Sequence, residues 1–162
     1  MPSSLTSLTR IEPAPLLRRG TSVADGVRAL LDSGLPGLPV VEPDGSLAGV
    51  FGHREVIAAL FPGYVGLLES ATFVPRSIDA ALELRADCAN ERVGDWMYTE
   101  HVEAPEDCSD VQLAETFLHH RVLAIPIVDA ARRVTGLVTR EDFFRALAER
   151  LLGHRDDPAH PA

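Results

Sequence analysis

Ala124-Ile-Pro-Ile-Val128 and Val134-Thr-Gly-Leu-Val-Thr-Arg-Glu-Asp-Phe143 are the stretches whose reading decides the fold. Both are short apolar runs rich in β-branched residues, and they predict two strands joined through Asp129–Arg133. The second strand runs directly into a helix, with the hydroxyl of Thr139 and the carboxylate of Asp142 three residues apart at the junction. The same pattern lies earlier in the chain. At an offset of 87 residues, Ser22–Leu60 falls on Ser109–Leu147 without a gap, and seven of the 39 pairs are identical. Leu38-Pro-Val-Val41 overlies Ile125-Pro-Ile-Val128, and Leu47-Ala-Gly-Val-Phe51 overlies Val134-Thr-Gly-Leu-Val138. Ungapped register across four consecutive elements marks an internal repeat.

Each copy reads as helix, strand, turn, strand, helix. In the first, Ser22 is the N-cap, Val23, Val27, Leu30 and Leu31 form the apolar stripe, and Gly34 ends the helix. Pro43-Asp44-Gly45 is the turn between its strands, where the second copy has Ala130-Ala-Arg-Arg133. In the second copy Ser109 caps a helix through Leu118, and the final helix runs to about Leu152. A unit this small exposes one apolar sheet face, so two copies have a physical reason to pair. The expected class is α/β (α+β), a tandem pair related by a pseudo-twofold axis. Residues 1–10 are expected to be disordered, 11–61 to be repeat 1, 62–92 a helical insert or linker, 93–152 repeat 2, and 153–162 a disordered tail. Within the insert, Ser77 caps a helix with Ile78, Ala81 and Leu82 on its apolar face, and Trp96 anchors the entry to repeat 2. The insert is expected to pack on the pair, to cover a cleft or to form a partner surface.

Composition narrows the function. At 162 residues the chain can bury a real core. A net charge of -9 repels polyanions and argues against nucleic acid, while the 15 basic residues are all arginine, the side chain suited to local, forked anion contacts. No apolar run is long enough to span a membrane and no leader pattern opens the chain, so a cytoplasmic location is expected. Cys88 and Cys108 have neither metal-knuckle nor CxxC spacing and read as free thiols. His119 and His120 point about 100° apart on a helix and do not converge on one ion. No nucleophile elbow, Walker loop, zinc-protease or dinucleotide motif occurs, so no catalytic residue and no metal site is assigned.

The run His120-Arg-Val-Leu-Ala-Ile-Pro-Ile-Val-Asp129 with Val134–Phe143 resembles the second half of a CBS (cystathionine-beta-synthase-type) domain, and Leu35–Val56 is similar in weaker form. Two such domains in tandem make a Bateman module. The resemblance implies clefts that in many members bind AMP, ADP, ATP or S-adenosylmethionine, and a disk-like homodimer formed through helix faces. It carries ligand contact onto Thr139 and Asp142, an adenine-lining role onto Ala124, Ile125 and Pro126, and base reading onto the strand of Thr99–Glu103, represented by His101 and Val102. Arg121 and Arg140 are the phosphate candidates, since a guanidinium forks onto phosphate oxygens. Read without the resemblance, Thr139-x-x-Asp142 is a capping box, and the two roles are compatible. The first copy has Gly52 and Glu55 at these positions, so its site is expected to be vacant, altered or used for another ligand. The leading expectation is a non-catalytic, free-standing sensor that binds an adenosine-containing ligand, mainly through repeat 2, and signals to an effector protein. The alternative is an interaction module that has lost its ligand.

Overall fold

The computed structural model describes residues 4–62 and 76–156. These gather into two compact units. The first comprises Pro15–His101, and the second joins the N-terminal residues through Ala14 to Val102 and beyond.

The first unit contains β1 (Leu17–Arg18), α2 (Val23–Ser33), β2 (Gly37–Val41), β3 (Leu47–Gly52), α3 (His53–Leu60), α4 (Ile78–Leu84), a 3-10 turn (Ala86–Asn90) and α5 (Val93–Trp96). The second contains α1 (Leu5–Thr9), β4 (Ala104–Pro105), α6 (Asp110–His119), β5 (Ala124–Val128), β6 (Val134–Thr139) and α7 (Arg140–Arg155). Each has a three-stranded sheet, ordered β1-β2-β3 or β4-β5-β6, with the first pair parallel and the second antiparallel. Even the ladder irregularity repeats, between Val40 and Val41 and between Ile127 and Val128. Phe51, Leu38 and Val40 are central to one core; Leu113, Ile125, Ile127 and Val138 are central to the other.

The helix ends follow from local chemistry. Ser22 accepts a hydrogen bond from the Asp25 N–H and Ser109 one from the Gln112 N–H, both at 3.1 Å. Gly34 closes α2 in the left-handed region with φ 66°, which a residue without Cβ adopts at little cost. Leu31, expected on the buried stripe, is instead exposed. It lies about 100° around the helix from the buried Leu30 and falls outside the core-facing arc. On α4, Ala81 is buried as expected, while Ile78 and Leu82 face outward.

Three expectations about the chain's margins need correction. Residues 4–10 are not disordered: Ser4 caps α1, Leu5 is buried, and the Asp110 carboxylate accepts from the N–H groups of Leu5 at 2.8 Å and Thr6 at 2.9 Å. Asp110 thereby supplies acceptors for the orphan amides that make a five-residue helix marginal by itself. At the other end, residues 153–155 continue α7. The third difference is topological. The leading segment of each repeat packs in the unit built on the other: Ile11 exchanges two backbone hydrogen bonds with Leu137 of β6 (2.8 and 3.1 Å), and Tyr98 exchanges two with Val50 of β3 (3.0 and 2.7 Å). Both pairings obey the 87-residue offset. The boundaries 11–61 and 93–152 therefore divide the sequence into repeats, whereas the folded units swap their leading segments.

Both cysteines are free, Cys88 buried and Cys108 half-buried, and burial pushes both thiols above their ordinary pKa. Among the described residues, no helix is long and apolar enough to cross a membrane.

Candidate functional site

The chemistry anticipated from the sequence lies where the last strand of each sheet becomes a helix. Thr139 ends β6 in an extended conformation and is the N-cap of α7; its side chain is buried, and Oγ1 accepts from the Asp142 N–H at 3.1 Å. The Arg140 N–H donates to the Leu123 carbonyl at 2.9 Å, which ties the helix start to the segment entering β5. Ala124 pairs with Thr139 across the ladder. The carboxylate of Asp142, half-buried, makes no hydrogen bond or ion pair among the described residues. The guanidinium groups of Arg140 and Arg121 are likewise exposed and without a partner there.

Only half of the capping box has formed. The hydroxyl receives its amide, but the carboxylate does not reach back, so both Asp142 oxygens keep their acceptor capacity.

The first unit holds the opposite half. Gly52 ends β3 and caps α3 without a side chain, while Glu55 Oε2 accepts from the Gly52 N–H at 2.9 Å. The His53 N–H donates to the Pro36 carbonyl at 3.1 Å, the counterpart of the Arg140–Leu123 bond. A Cβ on Gly52 would meet the Pro36 carbonyl oxygen at 2.5 Å and Gly37 Cα at 3.1 Å. The backbone here is too close for a side chain, so the threonine is sterically excluded from this copy.

The remaining predicted residues divide. Alternation along β5 puts Ala124 and Pro126 on one face and Ile125 on the other, and Ile125 is fully buried among Leu113, Ile127 and Val138. Its side chain belongs to the core, leaving its backbone for any other role. His101 and Val102 are half-buried in a segment without regular structure, and the strand expected over 99–103 begins instead at Ala104, where Ala104 and Pro105 pair with Ile127 and Val128.

Sequence reading missed the exchanged segments and the two carbonyls, of Pro36 and Leu123, that fix the junctions. One signal was present. Gly49 and Gly136 are identical across the repeats, and a Cβ on either would strike the swapped chain, 2.8 Å from the Tyr98 carbonyl oxygen or 3.1 Å from that of Ile11.

A model of the CBS domain matches residues 9–62 and 93–149. Among curated proteins, the chain is 22% identical over 144 residues to the chloroplastic CBS domain-containing protein CBSX1 of Arabidopsis thaliana, covering 86% of this chain and 61% of the relative. It is 24% identical over 133 residues to the uncharacterized protein MJ1426 of Methanocaldococcus jannaschii, covering 76% of this chain and 79% of that one. Among solved structures, the CBS-pair protein CBSX2 from Arabidopsis thaliana superposes with a TM-score of 0.71 at 20% identity, over 93% of this chain and 99% of that one. CBSX2 in complex with AMP gives 0.67 at 20% identity, over 92% and 99%. The CBS domain pair of MJ0100, in complex with 5'-methylthioadenosine and S-adenosyl-L-methionine, gives 0.68 at 20% identity, over 89% and 99%. Likeness at this identity establishes the fold.

Proposed function

This chain belongs to the CBS domain family, and from that premise we propose that it is a non-catalytic regulatory module of the cytoplasm. Its ligand is adenosine-containing, held chiefly at the junction of β6 and α7, and its occupancy is passed to a separate effector protein. The observation that carries the reading is the uncommitted Asp142 carboxylate beside a capped, buried Thr139. A carboxylate at a fixed helix start suits the vicinal hydroxyls of a ribose, which donate two hydrogen bonds to an acceptor-only group. Solved relatives hold AMP in one case and 5'-methylthioadenosine with S-adenosyl-L-methionine in another, which supports the adenosine class. Arg121 and Arg140, both unpaired among the described residues, favour a phosphate-bearing member of that class.

A homodimer fits the helix surfaces. Leu31 and Leu118, equivalent in the two repeats, are 76% and 82% exposed, and the equivalent pair Ile57 and Phe144 is 59% and 66% exposed. Large apolar side chains left in solvent at the same places on both repeats support a partner surface, and a second copy is the occupant that offers a matching one. Light scattering is expected to give twice the chain mass at micromolar concentration, and Leu31→Glu with Leu118→Glu the mass of one chain. A monomeric wild type refutes the dimer.

Isothermal titration calorimetry with AMP, ADP, ATP, 5'-methylthioadenosine and S-adenosylmethionine tests the ligand. Binding of at least one, lost in a folded Asp142→Ala variant, is expected. No binding of any to the folded wild type favours the second reading, an interaction module without ligand, which the absence of the threonine hydroxyl at Gly52 in repeat 1 supports.

A further inference from the structure

The β1–α2–β2 crossover ends in a crevice that the proposed nucleotide site does not use. Parallel β1 and β2 run together as far as Arg18 and Val41. Beyond that point one chain turns toward α2 and the other enters the Glu42–Ser46 turn, and divergence at the carboxyl ends of parallel strands leaves a concavity. Here it measures about 570 Å³, with Arg18, Arg19, Thr21, Val41, Glu42 and Pro43 in its walls. That volume suits a small molecule.

The walls have a distinct chemistry. Arg19 is committed to Glu42, with nitrogen–oxygen distances of 2.6 and 2.7 Å. Arg92 donates to the Gly20 carbonyl at 2.7 Å and so pins the turn between β1 and α2. The Arg18 guanidinium makes no hydrogen bond or ion pair among the described residues. Two arginines, of which only Arg19 is paired with Glu42, thus line the crevice in a chain whose net charge is -9, while Val41 and Pro43 supply apolar surface. The fold does not require this charge. In repeat 2 the positions equivalent to Arg18, Arg19, Gly20 and Thr21 are Pro105, Glu106, Asp107 and Cys108. The crevice is also remote from the Gly52–Glu55 junction: Gly37 pairs with Gly52 at one end of β2 and Val41 lies at the other, roughly 13 Å away at about 3.3 Å per residue.

We propose that this crevice is a second ligand site, in which the Arg18 guanidinium forks onto the oxyanion, carboxylate or phosphate, of a small molecule whose apolar body lies against Val41 and Pro43. The inference is independent of the nucleotide reading. Phenyl phosphate and benzoate are the probes, titrated into the ¹⁵N-labelled full chain with sodium chloride at equal ionic strength as control, while the amides of Gly20, Thr21 and Glu42 and the Nε–Hε of Arg18 are followed. Saturable shifts confined to these groups are expected with at least one probe, and the probe that saturates at the lower concentration identifies the oxyanion. Arg18→Gln, a change at an exposed side chain, is expected to raise the midpoint about tenfold or more, while Arg140→Gln leaves it unchanged. Shifts that grow linearly and equally with chloride, or a midpoint indifferent to Arg18→Gln, overturn the proposal.

Discussion

The two strand-to-helix junctions share a backbone and divide a capping box between them. In repeat 2 the threonine hydroxyl caps its helix and the aspartate carboxylate stays uncommitted; in repeat 1 the hydroxyl is absent and the glutamate carboxylate bonds the cap residue's own N–H. The helix start therefore needs only one half of the reciprocal pair. Which half survives decides whether a carboxylate remains available. Repeat 1 has no room for a threonine here, because the Cβ itself would meet the Pro36 carbonyl and the Gly37 backbone.

Installing the missing hydroxyl is the most disruptive way to challenge this comparison. Gly52→Thr must displace the Pro36 carbonyl and the Gly37 backbone, with no flexible side chain to yield, and is expected to destabilise the first unit by about 1–3 kcal/mol. Urea unfolding followed at Trp96, which lies in that unit, reads the loss. Wild-type stability would mean that closure at Pro36 is not what keeps the hydroxyl out.

A second contrast lies in how the swapped helices are held. In the first unit α5 is anchored by the fully buried Val93, packed closely against Gly26 and Phe51. In the second, α1 is anchored by the Asp110 carboxylate, which accepts from two backbone N–H groups and the Thr6 hydroxyl. Burial alone would push the Asp110 pKa up; the hydrogen bonds from Thr6 and Leu5, with the positive charge of Arg150, outweigh it and hold the carboxyl below its ordinary value. A carboxyl depressed in the folded state contributes stability that is complete above its unfolded pKa, about 3.9, and is lost as pH falls through the folded value. Acidification below about pH 4 is therefore expected to release α1 while α5 stays docked. At neutral pH, Asp110→Ala strands two amides and is expected to cost about 1–3 kcal/mol. Amide exchange at Leu8 against Met97, each bonded within its own swapped segment, separates the two. Equal acid sensitivity of both would refute the carboxylate clamp.

At the junctions themselves the effects are smaller and of opposite kinds. Thr139→Ala removes the cap of α7 and is expected to cost about 1 kcal/mol, largely recovered in Thr139→Ser. Asp142→Asn changes a carboxylate with no bonded partner among the described residues and is expected to alter stability by less than about 0.5 kcal/mol while weakening nucleotide binding. Thermal unfolding and calorimetry on the same samples read both. A large stability loss in Asp142→Asn would give that carboxylate a structural role.

How much of this could be read beforehand depended on range in the chain. The strands, the Ser22 and Ser109 caps and the Thr139 junction were legible because each is decided within a few residues by periodicity or by a hydroxyl and an amide. The swap was not. From Leu5 to Ala14 the leading segment shares no identical residue with its equivalent, Arg92 to His101, although α1 and α5 occupy equivalent positions. One is held through Asp110 and the other through Val93, so equal places in the fold impose different chemistry. The uncommitted state of Asp142 was also hidden, since Thr-x-x-Asp spells a complete capping box and only the geometry shows one arm unmade. The cationic crevice escaped notice because its walls come from two separated segments, neither of which is a motif.

The finest difference between the repeats sits in the turns, where Gly45 (φ 86°) and Arg132 (φ 62°) are equivalent and both left-handed. Glycine adopts that region freely; arginine does so against its Cβ. Asp129 holds the arginine turn from outside by accepting from the N–H groups of Ala131 and Arg133, both at 2.9 Å, and Arg132 is further tied to Glu103 by an ion pair at 2.9 Å. Arg132→Gly removes a left-handed penalty of about 1–2 kcal/mol but adds about 0.5–1 kcal/mol of glycine entropy and loses an ion pair, exposed on the arginine side, worth about 0–1 kcal/mol. A net change of a few tenths of a kcal/mol toward stability is expected, visible as a small rise in the melting temperature, and Glu103→Gln separates the terms because it removes the pair and keeps the strain. If Arg132→Gly proves markedly less stable than Glu103→Gln, the arginine does more in that turn than tolerate its conformation.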